Sequence, residues 1–181
     1  NIPNIKMSDY GTPILTAAFL KGQQEGRGEY LIYTNSDIIF TSDLVEAVSK
    51  LPKYPFWGVG RRTDLDITSP INFENTLDVE NLIYKARTKG KLHNSAGIDY
   101  FIFPKSMELN LPPLIVGRIG WDNFMIWNAK KNNIPVIDMT DDVLAIHQNH
   151  TPGAQNADKR KTNPEALHNI SFIKGRGNAA T

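Results

Sequence analysis

Tyr30-Leu31-Ile32-Tyr33-Thr34-Asn35-Ser36-Asp37 is the stretch on which the reading of this chain turns. Its apolar, aromatic-rich first half, with Gly28 just upstream, predicts a buried strand of the kind found inside a parallel sheet covered on both faces. Asn35-Ser36-Asp37 breaks the run, and Asp37 is the only acid in the break because Ile38-Ile39-Phe40 follows directly. Ligands of open α/β sheets bind at the carboxyl ends of strands. A carboxylate placed there can hold a hard divalent cation, which shares its oxygen ligands with phosphate. Asn, Ser and Asp are also ordinary turn formers that bond their own backbone. The local sequence leaves both readings open.

Upstream, Thr12 and Pro13 predict the start of a helix carrying Ile14, Leu15, Ala18 and Phe19 at helical spacing, closed by Gly22, Gly26 and Gly28. Downstream, Ser42 is expected to cap a short helix through Leu44, Val45 and Val48. Phe56 to Gly60 predicts a strand that ends at the polar Arg61-Arg62-Thr63-Asp64. A helix is expected over Leu77 to Lys89, a strand over Tyr100 to Phe103 stopped by Pro104, and a helix over Trp121 to Lys131. Pro135 to Asp138 and Val143 to Ile146 predict the last strands, and Asn163-Pro164 caps a terminal helix. This alternation of strands and helices predicts an α/β fold: one three-layer domain over 1–181 with a mostly parallel central sheet. The stretches 152–162 and 175–181 are expected to be flexible.

Composition narrows the function classes. The chain has 181 residues, enough for one domain with a substantial core. Lys plus Arg total 20 against 19 for Asp plus Glu, a net charge of +1, so nothing in the charge balance points to nucleic acid. Cysteine is absent, which excludes disulfide scaffolds, thiolate metal sites and cysteine nucleophiles together. No apolar run approaches the roughly 20 residues that span a bilayer. Asn1-Ile2-Pro3-Asn4 shows no signal pattern, and the expected location is cytoplasmic.

Two further places carry chemistry. Gly120-Trp121-Asp122-Asn123 puts Asp122 at the start of a helix, whose dipole favours the ionised carboxylate, a competent general base. Trp121 beside it offers an aromatic face suited to a sugar ring. Ile146-His147-Gln148-Asn149-His150 offers two imidazoles after a strand, either of which could ligate a metal. By contrast, Gly58-Val59-Gly60 lacks the third glycine of a dinucleotide fingerprint, and no Gly-Lys-Ser/Thr sequence or glycine-flanked nucleophilic serine is present. Arg61, Arg62 and Arg118 could pair a phosphate, or simply be solvated.

Taken in order, these motifs resemble the GT-A glycosyltransferases. The correspondence runs through Tyr30 to Asp37, Asn94-Ser95-Ala96-Gly97-Ile98-Asp99, Gly120 to Asn123 and Ile146 to His150. The resemblance implies transfer of a sugar, with inversion, from a nucleotide-diphosphate donor to the hydroxyl of a sugar or other acceptor. It implies a divalent cation, Mn²⁺ or Mg²⁺, held by Asp37 and His147, with His150 the rival for the second position. Asn35, Ser36, Gly97 and Arg118 would contact the donor, Trp121 the acceptor, and Asp122 would deprotonate the acceptor hydroxyl. The first acid of the family's Asp-X-Asp motif is Asn35 here. Only 36 residues precede Asp37, so the strand that holds the nucleotide base in the family is expected to be missing and the chain truncated at its amino terminus. Two other functions stay open: a non-catalytic or degenerate nucleotide- or carbohydrate-binding domain, and a sugar-phosphate nucleotidyltransferase, whose glycine-rich, lysine-bearing amino-terminal loop is absent.

Overall fold

Trp57–Leu65 forms the longest strand of the domain, and it organises the sheet. In a computed structural model of the protein, which describes residues 4–95, 97–150 and 163–173, the order along the chain is α1 (Leu15–Glu25), β1 (Tyr30–Thr34), β2 (Ile38–Phe40), α2 (Asp43–Ser49), β3 (Trp57–Leu65), α3 (Thr76–Lys89), β4 (Lys91–Leu92), β5 (Ile98–Pro104), α4 (Trp121–Lys131), β6 (Val136–Asp138), β7 (Ala145–Gln148) and α5 (Pro164–Ile173). Seven strands make one mixed sheet in the order β1-β5-β3-β7-β2, with β4 and β6 also paired to β3. The first half of β3 lies between antiparallel β5 and parallel β6, with Val59 opposite Phe101 and Asp138. Its second half lies between antiparallel β4 and parallel β7, with Asp64 opposite Lys91 and His147. The pairings β1–β5 and β2–β7 are antiparallel.

The sheet is therefore mostly antiparallel, not the mostly parallel sheet of a three-layer GT-A-like α/β domain that the sequence suggested. An apolar run does not fix strand direction, and β1 shows that it does not guarantee burial either: expected to be buried, it is an edge strand, only partly buried, with Ile32 exposed. β5 is buried along its whole length yet runs antiparallel to both neighbours. Its alternate residues enter different cores. Phe101 and Phe103 join Leu15, Phe19, Trp57 and Met125, whereas Tyr100 and Ile102 join Ala47, Met139 and Val143. Full burial of such side chains contributes about 1.5–3 kcal/mol each.

Element boundaries follow local chemistry. α4 spans the residues expected, and Asn163 Oδ1 accepts the Glu165 N–H at 2.8 Å, the cap predicted for α5. Ser42 stands at the N-cap of α2, but its side chain makes no cap hydrogen bond. Thr12 does not cap α1. Pro13 and Ile14 are drawn into short bridges with Met7 and Ile115, and the helix begins at Leu15. β3 continues through Arg61-Arg62-Thr63-Asp64, where the sequence suggested a polar exit. The stretches 152–162 and 175–181, expected to be flexible, lie outside the described residues. Among the described residues no helix is long and apolar enough to cross a membrane.

The two halves of β3 meet at Gly60, where the pairing with β5 shifts register. A side chain at Gly60 would run into the Tyr100 hydroxyl. That hydroxyl is buried with no hydrogen-bond partner, and burial raises its pKa above the usual tyrosine value. Gly60→Ala should therefore cost about 1–3 kcal/mol through overpacking, a fall in Tm of roughly 2–4 °C for each kcal/mol. Tyr100→Phe, which removes an unsatisfied buried group, should be neutral or stabilising and should relieve part of the Gly60→Ala loss. Thermal unfolding of the two single variants and the double variant checks this; strict additivity would refute the contact.

Candidate metal centre and adjoining cleft

Sheet register builds the first part of the site. β7 lies between β2 and β3, so His147 stands opposite Ile38 on one side and Asp64 on the other. Asp37, the residue before Ile38, is thereby carried beside the His147 ring. Directly opposite residues on a sheet share a face, which brings Asp64 to the same ring. His147 Nε2 is 3.4 Å from Asp37 Oδ2, and His150 Nε2 is 3.2 Å from the same oxygen. One ligand atom from each of Asp37, His147 and His150 falls within a 4.8 Å cluster.

This trio fits a cation. Adjacent donors of an ion bound at about 2.1 Å are separated by roughly 3.0–3.4 Å, the spacing seen around Asp37 Oδ2. Asp37 Oδ1 is buried with no hydrogen-bond partner among the described residues, a costly arrangement unless something else satisfies it. Sequence reading offered His147 or His150 as alternatives; the structure brings both to Asp37.

The second part is a cleft of about 490 Å³ bounded by Asn35 and Asp99 on one side and by residues 117–123 on the other, with Asn163 at its edge. None of the trio lines it; Asn35, two residues before Asp37, links the two along the chain. The Asn35 amide donates to Asp99 Oδ1 at 2.6 Å, and Arg62 Nη1 donates to Asp99 Oδ2 at 2.7 Å. Arg62 Nε donates to Asp64 Oδ1 at 2.8 Å, and Asp64 Oδ2 is 2.7 Å from His93 Nδ1. One guanidinium thus links the cleft carboxylate to the carboxylate beside His147. Burial alone would raise the Asp64 pKa. The hydrogen bonds from His93 and Arg62 outweigh it and hold that carboxyl below the usual aspartate range.

Asp122 lines the cleft from the first turn of α4, accepting the Asn123 N–H at 2.8 Å. Burial raises its pKa, and the Asp99 charge adds to the shift against the opposing backbone hydrogen bonds. Such a carboxylate is a stronger base than a solvated one.

The remaining expected residues have other partners. Arg118 borders the cleft with its guanidinium engaged by the buried Glu165 of α5, with Nε donating to Oε2 at 2.5 Å. Trp121 is 7% exposed and packs its ring edge-on to Tyr33 and against Phe101, so most of it belongs to the core. Ser36 is exposed in the turn between β1 and β2. Gly97 is buried and is not among the residues lining the cleft, and a side chain there would strike the His93 ring.

Sequence reading offered Arg62 only as a phosphate partner, quoted Asp99 only within the Asn94 to Asp99 stretch, and gave Asp64 and His93 no role. Three of these left a signal. Asp99 is a charge inside the apolar run Ile98 to Phe103, and Arg62 and Asp64, two apart after a buried strand, share a face if the strand continues. Comparison of the chain with protein-family models, with curated proteins and with solved structures finds no match.

The raised Asp122 pKa has a stability consequence. The folded protein binds that proton more tightly than the unfolded chain, so its advantage is complete below the ordinary aspartate value of about 3.9 and is lost as pH rises through the folded value. Asp122→Asn, which can still accept the Asn123 N–H, should match the wild type near pH 3 and become the more stable protein as pH approaches 7. Urea unfolding across that range measures it. A difference independent of pH would show that Asp122 ionisation carries no such cost.

Proposed function

We propose that this protein is a divalent-metal-dependent glycosyltransferase, moving a sugar from a nucleotide-diphosphate donor to the hydroxyl of a sugar or other acceptor with inversion. The observation that carries the reading is that a two-histidine, one-aspartate candidate cation site is linked, through Asn35 along the chain and through Arg62 between Asp64 and Asp99, to a cleft lined by a partly buried, base-strengthened carboxylate. Asp37, His147 and His150 would hold the ion, and the imidazoles favour Mn²⁺ over Mg²⁺. Bound there, a cation supplies Lewis-acid neutralisation of the charge on the departing diphosphate.

The chain's own residues account for the rest. Asp122 accepts the proton of the acceptor hydroxyl as its oxygen bonds to the anomeric carbon. The bond from that carbon to the phosphate oxygen breaks, and its electron pair leaves with the diphosphate. Asp99, fixed by Asn35 and Arg62, retains acceptor capacity for a hydroxyl of the bound sugar. Trp121 and the turn at Gly117 and Gly120 shape the opposite wall, so that proximity contributes to the rate. The reading involves no nucleic acid, and a cysteine-free chain suits a reducing compartment such as the cytoplasm.

A thermal-shift titration tests this with uridine and guanosine diphosphates, each with and without Mn²⁺, on the wild type and Asp37→Ala. Ligand at 100 times its Kd should stabilise by about 2.7 kcal/mol, a Tm rise of roughly 5–10 °C. The rise should require Mn²⁺ and vanish in Asp37→Ala. Asp122→Asn should keep the rise and lose transfer by two or more powers of ten. Absence of a shift with either nucleotide would overturn the reading, and binding without transfer in the wild type would leave a binding domain.

A further inference from the structure

We propose that Asp64 is a positioning residue for the cation site, holding the His147 ring so that Nε2 faces Asp37; the inference rests on the cation site described above. Asp64 is no part of the ligand trio. It reaches His147 from the opposite side, with Oδ1 2.9 Å from Nδ1, while Asp37 Oδ2 lies 3.4 Å from Nε2. The two carboxylates therefore bracket one imidazole. A histidine that ligates through one nitrogen needs its other nitrogen protonated and held, and a carboxylate is the strongest partner for that N–H.

The bracket is built from rigid parts. Asp64 and His147 are direct partners in the parallel ladder between β3 and β7, so their backbone separation is fixed by hydrogen bonds rather than by a loop. The Asp64 side chain is 17% exposed and the His147 side chain 9%. Two more groups hold the carboxylate: Arg62 Nε on Oδ1 and His93 Nδ1 on Oδ2. Gly97 leaves the space that the His93 ring occupies. The Nδ1–Oδ1 approach is close but bent, and Nδ1 has no aligned hydrogen-bond partner. A rotation of the ring within its bracket completes the bond without moving either strand.

A purely structural ion cluster would look similar. It differs in what its loss does. If Asp64 served only to neutralise Arg62 and order His93, its removal would lower stability and leave affinity for a cation unchanged in the folded protein. A positioning carboxylate predicts the opposite emphasis, a 10–100-fold loss of metal affinity.

The experiment uses Mn²⁺ and Co²⁺ binding to the full chain, measured well below the Tm of each variant. Wild type, Asp37→Ala and Asp64→Asn are compared. Asp37→Ala should abolish binding, and Asp64→Asn should weaken it 10–100-fold and alter the visible absorption of bound Co²⁺, a signature that lost stability does not produce. Should Asp64→Asn fail to fold, the wild type loaded with Zn²⁺ serves instead. Nitrogen-resolved NMR of its histidines should show His147 protonated at Nδ1. Wild-type affinity and spectrum in Asp64→Asn, or a proton on Nε2 of His147 in the Zn²⁺-loaded protein, would overturn the positioning role while the cation site stands. No binding of any of the ions by the wild type would overturn both.

Discussion

Everything in this domain depends on β3 being shared. One nine-residue strand supplies hydrogen-bonding edges to four others, β5 and β6 along its first half and β4 and β7 along its second. The constraint is geometric: the exchange of partners needs a break in register, and the break needs a residue without a side chain at Gly60. From that exchange comes the placement of β7 directly beside Asp64, and with β2 on its other edge, the placement of Asp37 beside His147. The candidate cation site thus follows largely from sheet order: Asp64 and His147 are ladder partners, Asp37 sits in the turn that leads directly into β2, and His150 follows just after β7.

Charge explains why such a site would act through a cation. Among the described residues of the trio, its support and the cleft, four carboxylates (Asp37, Asp64, Asp99 and Asp122) share one guanidinium, that of Arg62, which pairs with Asp64 and Asp99, while Arg118 is matched by Glu165. With neutral imidazoles the region carries a net negative charge. A diphosphate entering it meets repulsion of about 4 kcal/mol for each pair of unit charges about 4 Å apart at an effective dielectric near 20, roughly three powers of ten in affinity. A divalent cation on Asp37, His147 and His150 would cancel two of the three excess negative charges and set positive charge where a diphosphate could bind. Burial foremost, and the Asp99 charge after it, raise the Asp122 pKa, so one group of acids would favour both a cation and a base in this region.

The parts of this legible in the sequence were those set by local chemistry. The positions of Tyr30 to Thr34 and Trp121 to Lys131 and the Asn163 cap could be read because periodicity and capping act within a few residues; the burial expected of β1 could not, because it depends on which strand the sheet leaves at its edge. Asp37, Asp122, His147 and His150 could be picked out because each sits near the end of a strand or the start of a helix. Strand direction could not be read, since β5 shows that an apolar run does not fix polarity. Asp64 and Arg62 were hidden for a related reason. A strand whose outer half carries ions in place of apolar side chains reads as a loop, and only its pairing with β4 and β7 keeps it extended. His93 follows a helix that ends at Gly90, and its role depends on Gly97 and Asp64, both distant in sequence from each other.

Asn35 illustrates how a departure at one position can be compensated by another. In the Asp-X-Asp pattern that this stretch resembles, position 35 would carry an acid. Here its side chain lies 2.6 Å from Asp99 Oδ1 and its N–H donates to the Asp99 carbonyl at 3.0 Å. An aspartate at 35 would set two carboxylates against each other at hydrogen-bond distance, and one of them would have to take up a proton. The amide donates instead and fixes Asp99 in the cleft wall. The negative charge that the pattern places at the end of β1 is thus present, supplied by β5 across the β1–β5 ladder, and Arg62 ties it to Asp64 and so to the far side of His147. The acidic cluster draws on β5, β3 and the turn before β2. Its charge is a property of the sheet, which a reading of consecutive residues cannot see.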